Sequence, residues 1–217
     1  MVSSIIYENY YTGGFMVSQA QDRLSFDSGT IANTGTADVL LQAGLVLSRA
    51  AGTPAASPGV GNTGNGTVGS ISGGVAVQIG VYTLIATGAT TFDVLDPTGV
   101  SLGVATAGTG FVSPEIDLTV TAGATAFVAG DSFRIDVPAG GYQSYTGAAG
   151  APASAILYDL VTVPAGGSKT VAAIARQAEV NRKELNWDAS ITNAGTVMAA
   201  AETAAIDQLA KRGIIAR

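Results

Sequence analysis

Apolar and polar residues alternate with a period of two through the middle of this chain. In TTFDVL, Phe92 and Val94 are set against Thr91 and Asp93, and in EIDLTV, Ile116, Leu118 and Val120 are set against Asp117 and Thr119. Such alternation predicts half-buried β-strands, with one face on a core and the other toward solvent. VQIGVYTLIAT, FVSPEIDLTVTAG and FVAGDSFRIDV read the same way. Turn chemistry separates these runs. Asp96-Pro97-Thr98-Gly99 places Pro where its fixed φ suits a turn and closes on Gly, and Ala129-Gly130-Asp131 is a second tight turn. Five or six short strands divided by such turns predict a small β-sandwich or barrel over residues 59–140.

The pattern changes on both sides of this module. AAGTPAASPGVGNTGNGTVG before it, and Pro138-Ala139-Gly140-Gly141 running into Tyr142 to Ala153 after it, read as linkers rich in Gly, Pro and small residues. Leu24 to Leu47 reads as hairpin strands, with turns at Gly29 and at Asn33 to Gly35. Ala155 to Val163 reads as one apolar strand, with Tyr158 and Asp159 marking where it meets solvent or a neighbour, and Val171 to Arg176 as another. Gly166-Gly167-Ser168 makes a hairpin turn between them. Near the end the period lengthens. Val197, Ala201, Ala205 and Leu209 form a helical stripe, with Met198 and Ile206 beside it, so a helix is expected from Val197 to Arg212. Thr196 or Asn193 would cap its start, Glu202 and the pair Lys211 and Arg212 suit its two dipole ends, and a left-handed Gly213 would set Ile214 against Leu209.

The fold class that follows is mainly β with a C-terminal α-helix, an α+β chain. Residues 15–58 and 141–217 would form a discontinuous core of short strands plus the helix, interrupted by the all-β module of residues 59–140. Residues 1–14 stand apart. Ile5, Ile6, Tyr7, Tyr10 and Tyr11 precede a Gly13-Gly14 break, and so aromatic a segment is either a first strand or an arm that orders against a partner.

Composition narrows the chemistry. Among 217 residues there is no cysteine and no histidine, which removes disulfides, thiolate metal sites and the commonest general base. Only 12% of residues are charged, against a usual ~25%, and the net charge is −6. Acidity argues against direct binding to nucleic-acid phosphates. No run of eighteen apolar residues is present, so no membrane-spanning helix is expected, and MVSSIIYENYY has neither the basic start nor the apolar core of a secretory signal. The charge is unevenly placed. Residues 59–140 hold Asp93, Asp96, Glu115, Asp117, Asp131 and Asp136 against Arg134 alone, which leaves the flanks near neutral.

Several motifs match known chemistry only in part. GVGNTG and GNGTVG match G-x-G-x-x-G literally, yet no strand precedes them and no helix follows, so Gly richness explains them. Gly166-Gly167-Ser168-Lys169-Thr170 lacks the upstream Gly and the Gly-Lys-Thr order of a phosphate loop. Asp93 with Asp96, and Asp131 with Asp136, are too sparse for a calcium loop and lack the aromatic platform of a glycosidase, so solvent-facing strand and turn positions are expected. No catalytic, cofactor-binding or metal-binding residue is assigned, no cofactor is expected, and an enzyme is not expected. Trp187, the single Trp, is expected in a core or interface, with Asn181, Arg182 and Glu184 beside it.

The flanks carry a specific resemblance. Ile156-Leu157-Tyr158-Asp159, then Ala178-Glu179-Val180-Asn181 read as a turn, then Leu185-x-Trp187, then a helix before Gly213-Ile214-Ile215-Ala216-Arg217, occur in that order. With Leu41-x-Ala43-Gly44-x-Val46-Leu47 upstream, the chain resembles the lambda-type head decoration proteins of tailed bacteriophages. The Gly- and Thr-rich module resembles β modules embedded in larger phage decoration proteins. The resemblance implies a homotrimer on the outer surface of the expanded head, assembled in the bacterial host cytoplasm, that braces major capsid protein subunits against the pressure of packaged DNA. It implies that Ile5, Ile6, Tyr7, Tyr10 and Tyr11 contact the shell, with Trp187, Arg182 and Glu184 as candidates for a subunit interface. The competing expectation is a carbohydrate- or host-surface-binding protein in which the β module takes a host-surface glycan.

Overall fold

In chain order the strands are β1 (Met16–Gln19), β2 (Phe26–Ala32), β3 (Val39–Leu41), β4 (Val46–Ala51), β5 (Ala55–Pro58), β6 (Thr67–Gly73) and β7 (Gly80–Ala86). Next come β8 (Thr91–Leu95), β9 (Ser101–Thr106), β10 (Gly110–Phe111), β11 (Ile116–Thr121), β12 (Ser132–Val137), β13 (Ala139–Ser144) and β14 (Ala153–Leu157). The chain closes with β15 (Val161–Val163), β16 (Ser168–Ile174), β17 (Ala178–Val180), β18 (Thr192–Asn193), β19 (Thr196–Val197), the helix α1 (Ala199–Ala210) and β20 (Ile214–Ala216). The computed structural model describes residues 11–21, 24–148, 150–193 and 196–217. The fold is thus mostly β with one C-terminal α-helix and a small closed barrel.

The contacts divide the chain into two units. One comprises the chain up to Arg49, Gly141–Ala148 and Pro152–Arg217, and the bulk of the other is Ala50–Gly140.

In the first unit β13, β2, β16, β14 and β4 close into a barrel in that order. The longest ladder runs between β2 and β16, from Ser168 opposite Ala32 to Ile174 opposite Phe26. Two core clusters share the barrel wall. Val46 and Ile156 pack in a cluster with Phe15, Val180, Leu185, Leu209 and Ile214, while their neighbours Leu45, Leu47, Ala155 and Leu157 pack in another with Ile31, Tyr142 and Val171. Successive side chains of a strand point to opposite faces, so β4 and β14 each serve both clusters. That is why all five residues of β14 are buried and why its sequence shows no polar alternation.

Several expectations change here. The run from Ala155 to Val163 is not one strand. The chain leaves the barrel after Leu157, and β15 pairs with β3, with Val161 opposite Leu41 and Val163 opposite Val39. The Gly166 turn therefore joins strands that belong to different sheets. AEVN is not a turn: Ala178, Glu179 and Val180 are the middle strand of the sheet β1-β17-β20, with Ala178 and Val180 buried and Glu179 facing out to Arg217 at 2.9 Å. The helix begins later than its stripe suggests. Thr196 and Val197 pair with Thr192 and Asn193, so the first helical residue is Ala199, and Met198 stands at the cap without a side-chain bond. Met198 is exposed, while Ala205 and Leu209 are buried with Ala201 and Ile206 against them. At the other end Gly213 has φ +77° and donates to the Ala210 carbonyl, and Ile214 joins Leu209 in one cluster.

The second unit holds the sheet β5-β12-β7-β8-β9 and the sheet β10-β11-β6. Both contribute to one cluster, with Tyr82, Leu84, Phe92, Val94, Phe133 and Ile135 from the first sheet and Ile116, Leu118 and Val120 from the second. Phe127 fills its centre, edge-on to Phe92 and Phe133 with ring centres 4.9 and 5.7 Å away. By its contacts the unit takes in the chain from Ala50, where the linker-like AASP is the edge strand β5, with Ala55 opposite Asp136 and Pro58 opposite Phe133. Pro is tolerated on such an edge, where no ladder donor is needed.

Candidate functional site

The five arm residues fall at the start of the chain. Ile5, Ile6, Tyr7 and Tyr10 lie outside the described residues. Tyr11 is 75% exposed, its ring lying beside Gly14. The chain then enters the first unit. Gly13 donates to the Tyr158 carbonyl and sits against that residue's ring, and Phe15 is buried in the cluster of the terminal sheet and helix. Beyond it β1 pairs with β17 on one side only and carries the exposed Val17, so its other backbone edge is open among the described residues.

The three candidates for a subunit contact sit on one segment. Asn181 caps a short 3-10 turn, Arg182–Glu184, by accepting from the Lys183 N–H. The Arg182 guanidinium bonds the Glu202 carboxylate at 2.6 Å, an interaction that holds the arginine all the more firmly in its charged form. Its backbone N–H donates to the Arg217 carbonyl. Trp187 is half-buried against the first cluster, and Glu184 is exposed. Arg182 and Trp187 thus both make contacts inside their own unit.

The same segment explains Ala43-Gly44. Gly44 donates to the Leu157 carbonyl and accepts from Asn186 N–H, Val46 N–H donates to the Asn186 carbonyl, and the Asn186 side chain donates to Ala43, all at 2.8–3.0 Å. Gly44 has φ +83°, and a side chain there would run into the Glu184 carbonyl. The pair is a seam between segments some 140 positions apart in sequence, where only glycine combines that conformation with so close an approach.

A charged clasp went unread in the sequence. The Arg49 guanidinium lies 4.6 Å from the centre of the Tyr142 ring and 3.5 Å from Asp27, and the Tyr142 hydroxyl donates to Asp27 at 3.0 Å. Burial, and then the Asp27 carboxylate, push the Tyr142 hydroxyl up to about 12, against the opposing effect of Arg49 and Arg212. The readable signal was a lone charge, Arg49, within the otherwise uncharged strand β4.

The carboxylates of the second unit are not poised for chemistry. Asp131, 4% exposed, accepts from the backbone N–H groups of Thr63, Gly64 and Val128. Asp96, 8% exposed, accepts from the Thr98 and Val100 amides, the Thr98 hydroxyl and Gln78. These two are buried loop organisers, which corrects their expected placement in solvent. The GVGNTG loop does cradle an anion, and that anion is the chain's own Asp131. Asp93 bonds Ser101, and Asp136 pairs with Arg134.

A family model of the bacteriophage lambda head decoration protein D matches residues 5–214, nearly the whole length. The chain belongs to the bacteriophage lambda head decoration protein family. Family membership carries a structural, capsid-decorating role and a place in the virion capsid. No curated protein sequence matches. Among solved structures, two crystal forms of FlgL from Xanthomonas campestris align over 46% of this chain at 24% identity and a TM-score of 0.34. The flagellar hook junction protein FlgK from Burkholderia pseudomallei aligns over 54% at 27% identity and the same TM-score. The alignments cover 33% and 32% of the two FlgL chains and 21% of FlgK.

Proposed function

We propose that this decoration protein binds the outer surface of the expanded phage head as a homotrimer and braces neighbouring major capsid protein subunits against packaged-DNA pressure. The observation that carries the reading is the match to the lambda decoration family across residues 5–214, both flanks included. The arm residues Ile5, Ile6, Tyr7, Tyr10 and Tyr11 make the shell contact in this reading, and three arms on one trimer act together, since linked sites gain affinity without any new contact. The near-zero net charge of the flanking segments supports a close contact, because little net repulsion opposes an approach there. The all-β segment between the flanks is an insertion, and shell binding does not require it.

Purified protein mixed with expanded heads that lack decoration protein tests this. The full chain is expected to co-sediment with heads and to appear as protrusions at threefold positions in electron micrographs. A variant lacking residues 1–11 is expected to remain a trimer and stay in the supernatant. Equal occupancy by that variant rejects the arm as the contact, and absence of the full chain from the heads rejects the decoration reading on such shells.

A further inference from the structure

The loop that runs from Gly59 to Gly66 holds two asparagines in different ways. Asn62 is tied at both side-chain atoms: its Nδ2 donates to the Ser132 carbonyl at 2.7 Å, and its Oδ1 accepts the Ser132 N–H at 2.9 Å. Asn65 is tied at the oxygen alone. Its backbone N–H donates to the Thr125 carbonyl at 3.3 Å, and the Thr125 N–H donates to Asn65 Oδ1 at 2.8 Å. An N–H donor selects the side-chain oxygen, so the Nδ2 amine faces away from Thr125. That amine has no hydrogen-bond partner among the described residues, and neither has the backbone N–H of Gly66. Asn65 is exposed, and Asn65-Gly66 is the single Asn-Gly pair in the chain.

We propose that Asn65-Gly66 is a self-modification site, at which the asparagine loses ammonia and becomes aspartate or isoaspartate. The proposal stands apart from the capsid reading. Gly66 has no side chain to crowd its nitrogen, which bonds to the Asn65 side-chain carbonyl carbon and gives up its proton. The bond from that carbon to Nδ2 breaks, and the amine leaves with the proton as ammonia. A cyclic imide remains. Water then opens it at either carbonyl: at the side-chain carbonyl to give aspartate, or at the backbone carbonyl to give isoaspartate. No oxidant or cofactor enters.

The local geometry favours this residue over the others. The Thr125 N–H faces the oxygen on which negative charge builds during the attack. Neither the attacking nitrogen nor the leaving amine has a protein hydrogen bond to give up. Asn33 and Asn186, by contrast, donate their amines to backbone carbonyls at 2.8 Å and precede Thr34 and Trp187, not glycine.

The product loosens its surroundings. Gly66 has no spare room, since even a methyl carbon there would run into the Thr121 carbonyl and the Phe127 ring. Isoaspartate lengthens the main chain by a further carbon just before this residue, so the strain falls on the ring at the centre of the second unit's core. Either product also adds a carboxylate to a loop whose Thr63 and Gly64 amides already serve Asp131. Like charges so placed repel.

Mass spectrometry of the full chain, incubated folded at neutral pH and then digested, decides the matter. Residue 65 is expected to gain the mass of an acid over an amide, with fragmentation spectra placing the gain there and leaving Asn33, Asn62 and Asn186 unchanged. Hydrogen exchange across residues 62–67 and 121–128 is expected to rise with the modified fraction, while the barrel of the first unit keeps its protection. Asn65→Gln closes a larger and less favoured ring and is expected to lose the mass gain over the same period. Its melting temperature checks that it folds, and a parallel incubation of the wild type in urea needs no variant. A folded chain that stays unmodified while the urea-unfolded chain gains mass at residue 65 means that the fold shields the pair, and overturns the proposal. No gain in either state overturns it as well. An equal gain at Asn33 or Asn62 overturns the selection by side-chain bonding, and a gain without faster exchange overturns the loosening.

Discussion

The two units of this protein reach a packed core by different routes. The first closes its barrel and terminal sheet from segments far apart in the chain. β2 pairs with β16, β1 with β17, and the Ala43-Gly44 seam binds residues near 186. The second is drawn almost wholly from Ala50–Gly140, and its β7-β8-β9 strands are a meander of sequence neighbours. Long-range pairing must close large loops before contacts form, whereas a contiguous unit has most of its partners at hand. Their fastenings differ too. Backbone seams and the Arg49–Asp27–Tyr142 clasp hold the first, and buried carboxylates hold loops of the second.

The largest effects test whether the units are energetically separate. Phe127→Ala removes the ring packed between Phe92 and Phe133 and is expected to cost about 3–5 kcal/mol. Ile156→Ala, at a fully buried position of the barrel wall, is expected to cost about 2–5 kcal/mol. Hydrogen exchange is expected to rise across residues 50–140 in the first variant and across the flanking segments in the second. Protection lost everywhere in either variant means that the units unfold as one block, and the comparison fails.

Gly44→Ala comes next. The residue's positive φ strains any side chain, by about 1–3 kcal/mol, and the added carbon also meets the Glu184 carbonyl. The expected outcome is a lowered melting transition with faster exchange around residues 43–46 and 184–187, while the second unit keeps its protection. A melting temperature equal to that of the wild type means that the seam yields without strain.

Gly44 also shows what the sequence could and could not reveal. Its Ala-Gly pair read as an ordinary hairpin turn because turn chemistry is local, whereas its partner lies near residue 186. Period-two alternation was legible in β8, β11 and β12, where polar residues such as Asp93, Asp117 and Arg134 face away from the core, and more weakly in β7, whose outer face holds Val81 and Ile85 beside Thr83. β5 was hidden because Ala and Ser give little hydrophobic contrast, so AASP looked like linker, and the first residues of β6, Thr67 to Gly69, fell in the same linker-like stretch. β17 was hidden for a different reason: three residues are too few to show a period. The Leu209 stripe and Gly213 were correctly legible as helix and stop, while the start was misplaced because strand pairing captured Thr196 and Val197. Of the candidate site, the intramolecular hold of Glu202 on Arg182 had no local signature, because the two residues meet only once the helix has docked.

Acid is expected to separate the units more gently. The Thr63 amide above all holds the Asp131 carboxyl below its usual value, with Gly64 and Val128 adding to it against the opposing effect of burial. Burial alone would raise Asp96, but the Thr98 hydroxyl, the Val100 and Thr98 amides and Gln78 together bring it below its usual value. A carboxylate with a depressed folded value contributes stability that is present above its unfolded value, about 3.9, and is lost as pH falls through the folded one. Both groups lie in the second unit, so exchange there is expected to accelerate below about pH 4 before the first unit responds. Asp131→Asn is expected to lower stability at neutral pH and to flatten this acid response. An acid profile identical to the wild type would falsify the role given to the Asp131 cradle. Alkali offers no such contrast. Tyr82 and Tyr142, one in each unit, are both raised to about 12, Tyr82 by burial first and then by Glu115, despite the opposing Gln78 amide. The stability each contributes is present below the usual tyrosine range and is lost as pH rises through the folded value.

The smallest expected effect concerns Arg182 and Glu202, the one side-chain ion pair that ties the 3-10 turn to the helix among the described residues. The arginine is 47% exposed and the glutamate 16%, so solvent screens the pair from one side. Glu202 also lies in the first turn of α1, where a negative charge favours the helix dipole whether or not a partner is present. Arg182→Ala therefore removes only the pairing, since the backbone bond from Arg182 to Arg217 survives. Glu202→Gln removes the pairing and the dipole contribution together. The expected order is a slight fall in melting temperature for Arg182→Ala and a larger one for Glu202→Gln, with added salt shrinking the first difference. Neither change is expected to alter the oligomeric mass, because the pair closes within one chain. Dissociation of Arg182→Ala at a concentration where the wild type stays assembled would instead give Arg182 a partner in the neighbouring subunit, and the ion pair with Glu202 would then serve to orient that contact.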